Sequence, residues 1–172
     1  MRAIQALLTI DSQLSRSLSR YQPSIFWKLP LLILAHSGDS PLWILISATL
    51  YLNPKPSVSH IGHRLLIGIV GTGMATTALK WIFHRRRPSG QARGFYWKHD
   101  LHALPSGHAG RTACIVAILA AQTNACGLIA LILWTVFVGV ARVVLKVHFV
   151  LDIVTGWTTG LAIGFLVCAI IL

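Results

Sequence analysis

Runs of Leu, Ile, Val and Ala, interrupted mainly by Gly and small polar residues, fill positions 65–83, 107–123, 128–145 and 149–172. Each run is apolar over about the 17 to 25 residues that cross a hydrocarbon core, which predicts four transmembrane helices. A fifth, shorter run, "PLWILISATLYLN" at 41–53, can span with the help of its flanks and tilt. Residues 24–37 are interrupted by Lys28 and Pro30 and end in the break "HSGDS" at 36–40, so a sixth span is the upper limit. In the first twenty residues Ile4, Leu7, Leu8, Leu14 and Leu18 fall near one helical face, with Arg16, Ser17 and Arg20 away from it. That spacing predicts an interfacial amphipathic helix, the competing reading being a helix outside the membrane that packs on the rest of the chain. The fold expected is an all-α integral membrane bundle, with residues 1–40 as an N-terminal interfacial segment and 41–172 as the transmembrane core.

Smaller signals refine this outline. "NPKPSVSHIGHR" at 53–64 reads as a turn, because two prolines cannot continue a helix. Gly156, Gly160 and Gly164 recur every fourth residue in the last run, a smooth stripe on which another helix of the bundle can pack closely. Tyr51, Trp81, Tyr96 and Trp97 stand near run ends, where aromatic residues anchor a chain at the interface. The first twenty residues contain Arg2, Asp11, Arg16 and Arg20 and lack a continuous apolar core, so no cleavable signal peptide is expected.

Composition narrows the chemistry. The chain is 55% hydrophobic, and its 15 Lys and Arg outnumber four acids to give a net charge of +11. Only 11% of residues are charged, against about 25% in a soluble domain. The acids are Asp11, Asp39, Asp100 and Asp152, with no Glu, which excludes a paired-glutamate site and an HExxH zinc site. Cys114, Cys126 and Cys168 lie in or beside apolar runs and form no disulfide framework. Chemistry must therefore rest on cations, His and Ser.

Three clusters supply such groups. In "KWIFHRRRP", 80–88, Lys80 and Arg87 are two helical turns apart and would project from nearly one face before Pro88 ends the helix. The alternative is a snorkelling Lys80 and a juxtamembrane patch of Arg85, Arg86 and Arg87 for anionic lipid heads. In "LPSGHAG", 104–110, a helix begins at which the amides of Ser106, Gly107 and His108 can point at an anion, although Pro-Ser-Gly is also an ordinary helix start. In "ARVVLKVHFVLD", 141–152, His148 and Asp152 are four apart, so on one helix Asp152 can accept a hydrogen bond from the imidazole and leave the other nitrogen free. A purely structural Asp–His pair is the competing reading. Charges near a bilayer core are costly and usually line a polar site, and counting chain reversals brings all three clusters to one membrane face.

In order and spacing these clusters resemble the type-2 phosphatidic acid phosphatase superfamily, membrane lipid phosphatases related to vanadium-dependent haloperoxidases. Its signature is Lys, six residues, Arg-Pro; then Pro-Ser-Gly-His; then Ser-Arg, five residues, His, three residues, Asp. Lys80 to Pro88, Pro105 to His108, and Arg142 through His148 to Asp152 follow it, over about residues 62–156. Ala141 stands where the family usually has Ser or Thr. The resemblance implies phosphate-ester hydrolysis with His148 as nucleophile, Asp152 as its orienting carboxylate and His108 as acid and then base. Lys80, Arg87, Arg142, Ser106 and Gly107 would bind the phosphate.

It further implies no metal or other cofactor and no nucleic-acid partner. The partners implied are the bilayer and a phospholipid or polyprenyl (pyro)phosphate substrate, met at the outer face of the cytoplasmic membrane. His84 is expected behind the site at most. The loop 89–103, with Arg93, Lys98, His99, Asp100 and His102, is expected to cap the site and grip a headgroup. A lipid phosphotransferase using the same histidine and an anion-binding transporter remain as alternatives.

Overall fold

A computed structural model describes residues 2–20, 24–88 and 102–171. Among these residues it contains seven α-helices and no strand. The helices are α1 (Arg2–Ser19), α2 (Ile25–His36), α3 (Ser40–Tyr51), α4 (Pro56–Phe83), α5 (Gly107–Leu119), α6 (Ala125–Val144) and α7 (Val150–Ile170). Helices α4, α6 and α7 are each long and apolar enough to cross a membrane, and α2 with α3 would make a fourth span bent by 52°. The protein is thus a multi-pass, all-helical membrane protein.

Two boundaries differ from the sequence reading. The turn expected over 53–64 is confined to its first residues, because Pro56 starts α4: the first helical turn needs no N–H from proline, and its fixed φ suits that position. The run from 107 gives only the 13 residues of α5 before the chain tightens into a 3-10 turn at Ala120–Gln122. At 1.5 Å per residue α5 is about 20 Å long. It is also enclosed, with every residue from Ala109 to Ile118 buried.

Packing is sorted by size and polarity in the way lipid demands. Large apolar side chains such as Met74, Phe137 and Phe165 face outward, while Thr72, Thr76 and Thr112 lie inside. The glycine stripe of α7 makes the tightest contact. A methyl group at Gly156 would come within 2.5 Å of the Ser106 carbonyl oxygen, one at Gly160 would run into the Gly110 carbonyl, and one at Gly164 would lie 2.7 Å from Ala117 Cβ. Backbone therefore lies against backbone along α5 and α7, the arrangement that small residues permit in membranes. Leu65, Ile69, Ile115 and Val167 belong to the apolar cluster beneath, and the Arg64 Nε donates to the Ile171 carbonyl at 2.9 Å at the opposite end of α4 from Lys80.

Helix α1 is amphipathic, and its orientation is informative. Leu7, Ile10 and Leu14 are exposed, whereas Asp11 and Ser15 are buried. Ser15 Oγ accepts from the Val150 amide at 2.9 Å and Asp11 Oδ1 from the Leu151 amide at 2.8 Å. Two of the amides that a helix start leaves without intrahelical partners are thereby satisfied by another helix. The apolar face is left for lipid, as an interfacial helix requires.

The stripe gives a direct test. Gly160→Ala should destabilise the bundle by about 1–3 kcal/mol, the scale of overpacking. Gly73→Ala, where an added Cβ meets nothing within 4 Å, should not. Thermal unfolding of both variants in one detergent checks this; equal midpoints would refute the close-packing account.

Candidate active site

The α5–α7 contact builds the site's floor. Ser106 is the N-cap of α5, its Oγ accepting from the Ala109 amide at 3.4 Å, which orders the first turn. Its own amide donates to the Asp152 carbonyl at 2.8 Å, so the Pro-Ser-Gly-His segment is tied to the first turn of α7. Gly107 lies tight against its surroundings, since a Cβ there would be 3.2 Å from Arg111 Nη1. Asp152 occupies the third position of α7, where its Oδ2 accepts from the Phe149 amide at 2.8 Å.

The first cluster arrives by a route the helical reading did not foresee. Helix α4 stops at Phe83 because His84 adopts a left-handed conformation (φ 47°) while its amide still reaches the Lys80 carbonyl at 3.1 Å. Lys80 stays in the last turn of α4, but Arg87 lies past the helix end on the non-helical segment 84–88. That segment reaches the α6–α7 loop and the first turn of α7. Arg87 Nη1 donates to the Val147 carbonyl at 3.2 Å and stands 3.4 Å from His148 Nε2. Arg85 Nη1 donates to Asp152 Oδ1 at 2.7 Å, its Nη2 pairs with Asp11, and its guanidinium covers the Phe149 ring at 4.1 Å.

His148 lies on the short loop between α6 and α7, not on a helix with Asp152. Lys146 takes a positive φ of 58° there, and the amides of Val147 and His148 both donate to the Arg142 carbonyl, at 3.0 and 3.3 Å. The loop thus folds back over the C-terminal turn of α6, which carries Arg142. His148 Nδ1 is 3.5 Å from Asp152 Oδ2, closer to an ion-pair distance than to a hydrogen bond. The hydrogen bond expected between these residues is replaced because Asp152 already serves Arg85 and the Phe149 amide. Burial, followed by the charges of Arg142, Arg87 and Lys80, holds the His148 imidazole well below its ordinary pKa. It is therefore neutral, with a lone pair, in a strongly positive field.

Several residues that the sequence left without a role meet here. Asp39, in the α2–α3 break, pairs with His108 Nε2, and its second oxygen is 3.0 Å from His36 Nδ1. Arg111 donates from Nε to the Gly38 carbonyl at 2.9 Å. His84 instead packs edge-on against His102, with ring centroids 4.8 Å apart. Of the expected capping loop, Arg93, Lys98, His99 and Asp100 lie outside the described residues.

Residues 62–172 match the family model of the PAP2 superfamily. The chain belongs to the PAP2 superfamily. Two solved structures share the fold of this PAP2 protein. A transmembrane PAP2-type phosphatidylglycerolphosphate phosphatase from Bacillus subtilis superposes with a TM-score of 0.77 at 24% identity, over 95% of this chain and 85% of that one. LpxE from Aquifex aeolicus gives a TM-score of 0.75 at 21% identity, over 91% of this chain and 93% of that one. In the present PAP2 chain Ala141 is fully buried beside Arg142.

Arg85 is the residue whose loss should be felt most widely. Arg85→Met strands two buried carboxylates, and breaking a buried pair from one side costs about 3–5 kcal/mol. Lower thermal stability and lower turnover are both expected. Adding Asp11→Asn should recover part of the stability but not the turnover; no recovery in the double variant would rule out the shared cation.

Proposed function

We propose that this PAP2 protein is a membrane lipid phosphatase that hydrolyses a phosphate monoester or pyrophosphate of a lipid through a phosphohistidine, without a metal. One observation carries the reading: a neutral, buried His148 has its Nε2 3.4 Å from the Arg87 guanidinium and lies in the field of Arg142 and Lys80. A lone pair beside fixed cations suits attack on an anionic phosphorus. Transporters also use buried cations, but they do not require an available nucleophile among them.

In the first step His148 Nε2 bonds to phosphorus as the phosphorus–oxygen bond to the lipid breaks, and His108 gives its proton to the departing oxygen. Lys80, Arg87, Arg142, Ser106 and the Gly107 amide surround the remaining oxygens. In the second step water attacks phosphorus, His108 takes its proton, and the phosphorus–nitrogen bond breaks to release inorganic phosphate. Asp152 steadies His148 electrostatically across 3.5 Å. These side chains take the charge-neutralising part that magnesium plays in other phosphoryl transfers.

A lipid substrate fits the surroundings, because exposed apolar residues of α4 and α6 flank the bundle and an acyl or polyprenyl chain can stay in the bilayer while its head enters. The similar structure from Bacillus subtilis is that of a phosphatidylglycerolphosphate phosphatase, which supports the same class. The active face is the outer side of the cytoplasmic membrane, as the family resemblance suggests.

Purified protein should release inorganic phosphate from at least one of undecaprenyl pyrophosphate, phosphatidylglycerol phosphate, phosphatidate and lipid A 1-phosphate. Vanadate, which mimics five-coordinate phosphorus, should inhibit, and EDTA should not. His148→Ala should lower kcat by more than about 10³-fold, the scale of losing a nucleophile, while melting like the parent. Phosphate transferred to an acceptor lipid in place of water would favour the phosphotransferase alternative, and an active His148→Ala protein would end the proposed mechanism.

A further inference from the structure

The α2–α3 break is built with more care than a simple helix joint needs. Trp43 Nε1 donates to the Ser37 carbonyl at 2.7 Å, and Trp134 Nε1, from α6, donates to Ser37 Oγ at 2.9 Å. Arg111 of α5 holds the Gly38 carbonyl at 2.9 Å. Gly38 is buried and closely packed, since a Cβ there would be 3.0 Å from Thr112 Cγ2 and 3.5 Å from the His108 carbonyl. The next residue is Asp39. Three hydrogen bonds and a glycine thus fix a carboxylate opposite the first turn of α5, where one oxygen meets His108 Nε2 and the other His36 Nδ1.

We propose that Asp39 is a positioning residue for His108: by accepting a hydrogen bond from Nε2–H it orients the ring and leaves the Nδ1 proton for the departing lipid oxygen. The inference rests on the phosphatase reading above and adds to it a residue outside the three sequence clusters. The balance is simple. The Nδ1–H bond breaks as the oxygen–hydrogen bond of the lipid alcohol forms; Nε2–H stays on the imidazole throughout; water returns the Nδ1 proton in the second step. A carboxylate is suited to this part because burial first, and then the charges of Arg142 and Arg111, work against a protonated His108 and leave its pKa below the ordinary value. Asp39 is the anion that acts in the opposite direction, toward protonation. His36, on the outward side with most of its side chain exposed, steadies the second oxygen.

His36, Asp39 and His108 also form the one group among the described residues whose ligand-type atoms lie within 4.8 Å of one another. A bound divalent ion is therefore the rival explanation, and the experiment must separate the two. With the fastest of the four lipids named above, Asp39→Asn should lower kcat by about 10²-fold, within the range for general acid catalysis. KM should stay within about twofold and the melting temperature unchanged, and Asp39→Glu should restore part of the rate. In a His108→Gln background, adding Asp39→Asn should cost nothing further, measured if necessary as single-turnover release of labelled phosphate. Multiplying effects of the two substitutions, or a fall in kcat that follows a fall in stability, would overturn the positioning role. So would activity of the parent that EDTA removes and zinc restores. Absence of turnover by the parent on all four lipids would instead overturn the phosphatase reading itself.

Discussion

The close approach of α7 to α5 is the constraint on which the site depends. Gly156, Gly160 and Gly164 remove the side chains that would hold the two backbones apart, and the reward is registration. With the helices this close, the Ser106 amide can reach the Asp152 carbonyl, so the start of one helix is keyed to the start of the other. His108 and His148 come from segments forty residues apart, and this single contact fixes the frame in which both stand. In lipid, where burying apolar surface gives little drive for helices to associate, such packing is what remains available to do it.

Around that frame the chain solves a charge problem. A cradle for phosphate needs cations near the bilayer, and cations there are unfavourable without partners or water. The protein places two of its four acids, Asp11 and Asp152, on Arg85, and a third, Asp39, on His108. Arg142, Arg87 and Lys80 meanwhile lay a positive field on His148. Helix α1 takes part by supplying Asp11, so a segment that looks like a surface float is also joined to the site's electrostatics.

The helical runs, the glycine stripe and the three clusters were legible because each is a local pattern: a length of apolar residues, a period of four, a fixed spacing. What was not legible is where the chain departs from the helix it has been following. The Lys80–Arg87 spacing suggests one helical face, yet His84 turns left-handed and carries Arg87 to the α6–α7 loop on a non-helical segment. The His148–Asp152 spacing suggests a helical hydrogen bond, yet the helix begins two residues after the histidine and Arg85 competes for the carboxylate. Asp39 was read only as part of a break and Asp11 only as one of the charges that speak against a signal peptide, because their partners lie 69 and 74 residues away and no local rule reaches that far. With only four acids in the chain, the scarcity of carboxylates was the signal that could have drawn attention to these two.

The inside-out sorting of side chains has a consequence for how this sequence can drift. In a water-soluble protein the bulky interior resists change and the surface tolerates it; here the outward Phe, Leu and Ile can exchange among themselves so long as they stay oily. The smallest residues are the rigid ones, because each glycine on α7 leaves no gap for even a methyl group. Variation among descendants of this chain should therefore be freest where side chains are largest, and most restricted where there is almost no side chain to alter.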